Sequence, residues 1–384
     1  MTTHGERPGH VLMTADTVGG VWNHALELSR GLAAHGVRVS LATMGAPLSP
    51  AQRAEAAALP SDVCLHEGAW RLEWMDDPWD DVARAGEWLL RLAETARPDV
   101  VHLNQFAFGA LDFPAPTLVV AHSCVLSWWR AVHGEAAPPA WDAYRRAVQR
   151  GLAGADGVAA PTRAMRACLA AEHGAWLAQA TLVLPNGRSA ACFAPGEKAP
   201  MILSAGRLWD AAKNLGALAA VAPRLSWPVV VAGPVARPGA SDAPSDAAAG
   251  VATLGQLPPD ALAAQFAKAA IYALPARYEP FGQSVLEAAL SGCALVLGDV
   301  PSLRELWGDA ACFVPPDDHD ALHDALQRLI DDAPWRADMA ARALARGRSF
   351  TTQRMVEAYL AAYGRLLAPA RRADNNSKEN ACAS

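Results

Sequence analysis

The chain reads as an α/β protein built from two parallel-sheet domains, and three observations predict this. Short apolar runs alternate with helix-patterned segments along almost its whole length, the rhythm that yields parallel strands joined by right-handed crossovers. At 384 residues it is too long for one ordinary domain and suits two of roughly 150–200 residues each. A turn-rich segment running from Pro185-Asn186-Gly187-Arg188 to Pro195-Gly196 interrupts the rhythm near the middle.

In the first half the strand-sized apolar runs fall at 10–15, 38–44, 100–103, 118–121, 157–160 and 182–184, with helical periodicity at 22–35 and 81–96. The second half repeats the scheme with strands at 201–205, 229–232, 271–274, 294–297 and 312–314. The expected domains are therefore 1–186 and 187–350, followed by a helix over 351–367. Residues 234–249, rich in Ala, Gly, Pro, Ser and Asp, read as a mobile loop, and the polar tail 368–384 as disordered.

Composition narrows the function classes. Apolar residues make up 52%, so both halves can bury a core. A net charge of -6 and a pI near 6.0 argue against nucleic acid, whose phosphates need a basic face. Seven cysteines lie scattered with no C-x-x-C pair, so the spacing indicates neither a disulfide framework nor a zinc site. The first ten residues are polar, and no apolar run approaches the ~18–20 residues of a membrane span. A reducing cytoplasm is the expected compartment, with no integral membrane segment.

The densest chemistry lies in Glu279-Pro280-Phe281-Gly282-Gln283-Ser284-Val285-Leu286-Glu287, where two carboxylates stand eight positions apart across a Phe-Gly turn. An apolar strand precedes it and a helical pattern follows, so Glu279 falls on a strand-to-helix loop. Such loops at the carboxyl ends of parallel strands are where open α/β sheets bind ligands. A helix start offers free N–H groups to an anion, and a carboxylate accepts from vicinal hydroxyls. Phosphate flanked by polyols describes a nucleotide-sugar, although solvated helix-face glutamates would give the same spacing.

This stretch, with the following Ser291-Gly292-Cys293-Ala294, Pro301-Ser302-Leu303-Arg304-Glu305 and Phe313-Val314-Pro315-Pro316-Asp317, resembles the E-x7-E region of family 4 retaining glycosyltransferases. The resemblance implies the GT-B fold, two Rossmann-like domains facing a cleft, with the last helix returning to the N-terminal domain. It implies that Glu279 holds sugar hydroxyls, helped by the N–H groups of Phe281 and Gly282, and that Glu287 holds the ribose. The backbone of Gln283 and the Ser284 hydroxyl would meet phosphate. Gly206-Arg207-Leu208 and Lys213 resemble the family's G-R-L…K segment, spaced one residue wider than usual. Arg207 and Lys213 become the diphosphate ligands, a planar fork and a compact charge.

Gly19 and Gly20, after the first strand, match the glycine-rich loop that closes over the donor phosphates, with Asp16 beside the acceptor. His122 matches a histidine pointing at the transferred sugar, and is read as positioning a hydroxyl rather than as a general base. His102 and Asn104 would line the acceptor side. Leu254-Gly255-Gln256-Leu257 resembles the family's loop whose backbone meets the base, which implies that role for Gln256 and Leu257. Nine of the thirteen tryptophans lie in the N-terminal half, which favours a carbohydrate-like acceptor.

Asp318-His319-Asp320 spells the D-x-D of a metal site. It follows a strand and opens a helix, where Asp is an ordinary cap, so no metal and no further cofactor is expected. The implied activity is retaining transfer from a nucleoside-diphosphate sugar to a carbohydrate or other small hydroxylated acceptor. The competing readings are a nucleotide-sugar epimerase on the same scaffold and a non-catalytic nucleotide-sugar-binding protein.

Overall fold

The computed structural model describes residues 7–234 and 250–368. The expected mobile loop, apart from Pro234, and the expected disordered tail, apart from Ala368, lie outside the described residues. Among the described residues thirteen strands form two sheets. The first holds β1 (His10–Asp16), β2 (Arg38–Met44), β3 (Val63–Glu67), β4 (Val100–Leu103), β5 (Thr117–Val120), β6 (Gly157–Ala160) and β7 (Thr181–Val183). The second holds β8 (Ala199–Ala205), β9 (Val229–Ala232), β10 (Ala252–Thr253), β11 (Ala269–Leu274), β12 (Ala294–Gly298) and β13 (Cys312–Val314).

Strand order is β3-β2-β1-β4-β5-β6-β7 in one sheet and β10-β9-β8-β11-β12-β13 in the other, with every pairing parallel. Each sheet thus follows the doubly wound Rossmann order, whose winding reverses between its first and fourth strands. That places one crevice beyond β1 and β4 and a second beyond β8 and β11. The central strands are buried on both faces, which is why they read as continuous apolar runs. β3 and β10 were not legible as strands. Both sit at sheet edges: β3 has no fully buried residue and only the short run Val63-Cys64-Leu65, and β10 is two exposed residues.

The chain crosses between the domains twice, side by side. Arg188 bridges to Thr351, and its N–H donates to Phe350 O at 3.0 Å. Gly187 makes this approach possible, since a Cβ there would lie 2.3 Å from Thr351 O. The helix Thr352–Leu367, capped by the Thr351 hydroxyl, then packs Met355, Val356, Tyr359, Leu360 and Tyr363 into the core of the first sheet. Burying each such side chain stabilises by about 1.5–3 kcal/mol, so this last helix is an integral part of the N-terminal domain. Among the described residues no helix is long and apolar enough to cross a membrane.

Candidate active site

The motif loops of both domains meet across the cleft. β8 opens into Gly206 and Arg207, and β11 opens into the loop carrying Glu279 and the helix Gln283–Leu290. Opposite them β1 opens into Gly19 and Gly20. Gly19 has φ 99°, and a Cβ on it would stand 3.0 Å from Arg207 Nη1. A Cβ on Gly20 would meet Gln283 Cγ at 3.9 Å. The two glycines therefore let the N-terminal loop lie directly against the candidate phosphate-binding elements.

Lys213 ends a short 3-10 turn, Ala211–Lys213, after which Asn214 turns left-handed with φ 58°. The Asn214 amide donates to Pro275 O and Pro316 O at 2.9 and 2.7 Å, fastening the turn to the ends of β11 and β13. Lys213 Nζ reaches Glu279 Oε2 at 2.5 Å, so the wider spacing does not keep its amine from the site. Arg207 Nη2 lies 3.2 Å from Asp210 Oδ2. Asp210 Oδ1 in turn accepts from Ala212 N and from Trp128 Nε1, at 3.0 and 2.9 Å. Trp128 comes from the N-terminal domain, so a domain-crossing bond steadies the carboxylate that aims Arg207.

Several expected contacts are arranged differently. The N–H groups of Phe281 and Gly282 donate to Glu279 Oε1 at 3.4 and 2.9 Å instead of pointing free. With Lys213 of the neighbouring turn on its other oxygen, both Glu279 oxygens are engaged. Gly282, at φ 85°, caps the following helix without a side-chain bond, which leaves the first-turn N–H groups beyond it available. Ser284 Oγ lies 2.7 Å from the Tyr272 hydroxyl, itself held at Ala205 O, and Gln283 Oε1 is buried and unpaired among the described residues. Gln256 is exposed and Leu257 half-buried on a rim loop; there Gly255 O accepts from Gly233 N at 2.8 Å.

Glu287 does not stand free either. Arg188 Nε lies 3.0 Å from Glu287 Oε1, close enough to pair as ions although the N–H is not aligned on the oxygen. Arg188 also pairs with Glu27 at 3.2 Å, and Glu27 accepts from the Thr352 hydroxyl. Burial raises the Glu287 pKa, against the pull of Arg188.

On the N-terminal wall His122 is half-buried at the end of β5, and its Nε2 bonds Asn104 Oδ1 at 2.7 Å. His102 does not line the acceptor side. It is fully buried, bonded to Asn104 and to Tyr363 of the last helix. Burial lowers His102 to a pKa of about 4 and His122 to about 3, so both are neutral at pH 7.

Burial pushes Asp16 up to about 7, opposed by the Val18 N–H and by Arg207. Its folded pKa thus lies above the ordinary 3.8. Between about pH 4 and about pH 7 the folded chain keeps a proton that the unfolded chain has lost, so this group's contribution is full below that window and disappears as pH rises through it. Asp16→Asn is expected to gain thermal stability relative to the parent as pH rises over that range. Parallel melting curves for the two proteins would refute this.

Asp318 caps the helix His319–Asp331, accepting from Ala321 N at 2.8 Å, as an ordinary helix start. Among the described residues no group of three or more His, Cys, Asp or Glu is arranged to hold a metal ion. A groove of about 490 Å³ on the N-terminal domain, lined by Trp79, Phe108, Leu111, Arg146 and Arg150 among others, shares no residue with the motif loops.

Two Rossmann-ordered sheets facing one cleft, with cations, a glycine loop and a helix start converging there, define the GT-B class. The chain belongs to the family 4 glycosyltransferases: the Glycosyltransferase Family 4 description matches residues 18–190 and Glycosyl transferases group 1 matches 199–332. It is 34% identical over 110 residues to the O-antigen chain mannosyltransferase B of Escherichia coli, a match covering 29% of this chain and 29% of that relative. Sucrose-phosphate synthase from Thermosynechococcus elongatus superposes with a TM-score of 0.76 at 20% identity, over 94% of this chain and 99% of the other. Anabaena HepE in complex with UDP-glucose gives 0.71 at 15%, over 92% and 98%. At these identities the two structures speak for the fold alone.

Proposed function

We propose that the protein is a retaining glycosyltransferase. It moves a sugar from a nucleoside-diphosphate sugar, held mainly by the C-terminal domain, to a carbohydrate or other small hydroxylated acceptor held mainly by the N-terminal domain. The carrying observation is the convergence of Arg207, Lys213 and Glu279 with the helix start at Gln283, against Gly19 and Gly20.

The diphosphate binds Arg207, Lys213 and the free N–H groups of the helix start. Lys213 then turns from Glu279 to phosphate, which frees that carboxylate for sugar hydroxyls. Glu287 takes the ribose, Ser284 a phosphate oxygen, His122 a sugar hydroxyl, and the backbone at Gln256 and Leu257 the base. The acceptor hydroxyl attacks the anomeric carbon on the face from which phosphate departs. One C–O bond forms as the other breaks, and the hydroxyl proton passes to the leaving phosphate. Arg207 and Lys213 stabilise the charge developing there, so the step requires no metal. Domain closure excludes water and aligns the reactants. The scattered cysteines suit work in the cytoplasm.

A panel of UDP-, GDP- and ADP-sugars, followed by nucleotide release and thermal shift, tests this. One donor is expected to stabilise the protein and to be slowly hydrolysed, with both effects weakened in Glu279→Ala. Conversion of the donor sugar without an acceptor would favour an epimerase. Tight binding without turnover across a broad acceptor screen would favour a non-catalytic binder.

A further inference from the structure

Asn104 stands at the centre of a hydrogen-bond chain. Its Nδ2 donates to Thr14 O at 2.5 Å, and its N–H is 2.8 Å from Thr14 Oγ1. The amide orientation is thereby fixed, because a flipped amide would set its oxygen against the Thr14 carbonyl. Asn104 Oδ1 then faces two imidazole nitrogens, His102 Nε2 at 3.0 Å and His122 Nε2 at 2.7 Å. An amide oxygen only accepts, so both nitrogens carry protons.

A neutral imidazole has one N–H. The Nδ1 of His102 is therefore bare and accepts from the Tyr363 hydroxyl at 2.6 Å. The Nδ1 of His122 is bare as well, and no described residue bonds it. His122 is ringed by uncharged groups: His24 from the helix Gly20–Ala34 at 4.6 Å between ring centroids, His102 from β4, and Tyr359 and Tyr363 behind these. Both His24 ring nitrogens are buried without a partner among the described residues.

We propose that Asn104 is a positioning residue that sets the tautomer of His122, holding its Nε2–H inward and presenting Nδ1 as a bare acceptor. The ring therefore takes a hydrogen bond from a donating hydroxyl, and it disfavours a substrate that offers an acceptor at that point. The hydroxyl role rests on the glycosyl-transfer reading; the tautomer does not. The partner that fixes it is the Asn104 amide, and Tyr363 extends the chain into the last helix.

The test is the long-range 15N–1H imidazole spectrum of the full-length protein labelled at histidine, with His122→Gln used to assign the resonance. At pH 7 the His122 signal is expected to show Nε2 protonated and Nδ1 bare. Asn104→Ala is expected to give a mixture of tautomers. Asn104→Asp, of nearly the same shape, sets a carboxylate against the ring and is expected to raise the His122 titration midpoint by about 1–3 pH units.

With a competent donor, Asn104→Ala should lower kcat about ten-fold at little-changed donor KM, the worth of one hydrogen bond. A proton on His122 Nδ1 in the parent, or a tautomer unmoved in Asn104→Ala, would overturn the assignment. Should the parent turn over no donor while the spectrum shows the expected pattern, the glycosyl-transfer reading fails and the tautomer assignment holds.

Discussion

Replacing Arg207 with alanine is expected to lower kcat by about 10²–10³-fold. The guanidinium is already organised before any ligand arrives, 3.2 Å from Asp210, which is itself held by the Ala212 N–H and the Trp128 indole. A cation aimed in advance spends nothing on reorientation as charge builds on the leaving diphosphate, so its loss should be felt in the transition state. Steady-state kcat and donor KM separate the possibilities. A raised KM at unchanged kcat would mean that Arg207 binds substrate and transition state equally, and the proposed role would fail. Asp210→Asn should fall between the two, since it keeps the shape of the support and removes its charge.

Arg188→Ala is expected to cost about 3–5 kcal/mol of stability, the usual penalty for leaving buried charge without its partner. The carboxylates of Glu27 and Glu287 both lean on this one guanidinium, with side chains only 7% exposed. They belong to helices of different domains, so the loss strikes the join between them. Denaturant unfolding measures it. Arg188→Met combined with Glu27→Gln and Glu287→Gln should recover much of the loss, because no buried charge is then left over. A fully stable Arg188→Ala protein would show that water already solvates the pair.

The sequence exposed what is local. Buried strands such as β1, β11 and β12 announced themselves as apolar runs, while β3 and β10, neither of which buries a residue fully, did not stand out. The loop carrying Glu279, the Gly206-Arg207 turn and the Gly19-Gly20 pair were legible because each motif is contiguous. Their partners were not. Trp128 meets Asp210 across 82 positions, Tyr363 meets His102 across 261, and Arg188 joins Glu27 to Glu287 from a linker read only as a turn. Hydrogen bonds between distant residues leave no spacing to read in a single chain. His102 was therefore placed on the acceptor wall when it belongs to the scaffold behind it.

The helix Arg163–His173 belongs to the N-terminal domain, yet its first two N–H groups, of Arg163 and Ala164, donate at 2.9 Å to the carboxylate of Glu305 in the C-terminal domain. The C-terminal domain thus completes a piece of secondary structure in the N-terminal one. Were the halves to part, this helix would keep its Thr162 cap on the Met165 N–H but lose the carboxylate on its first two N–H groups, which would then open to solvent. Amide exchange at these two positions is in effect a counter of how often the enzyme breathes.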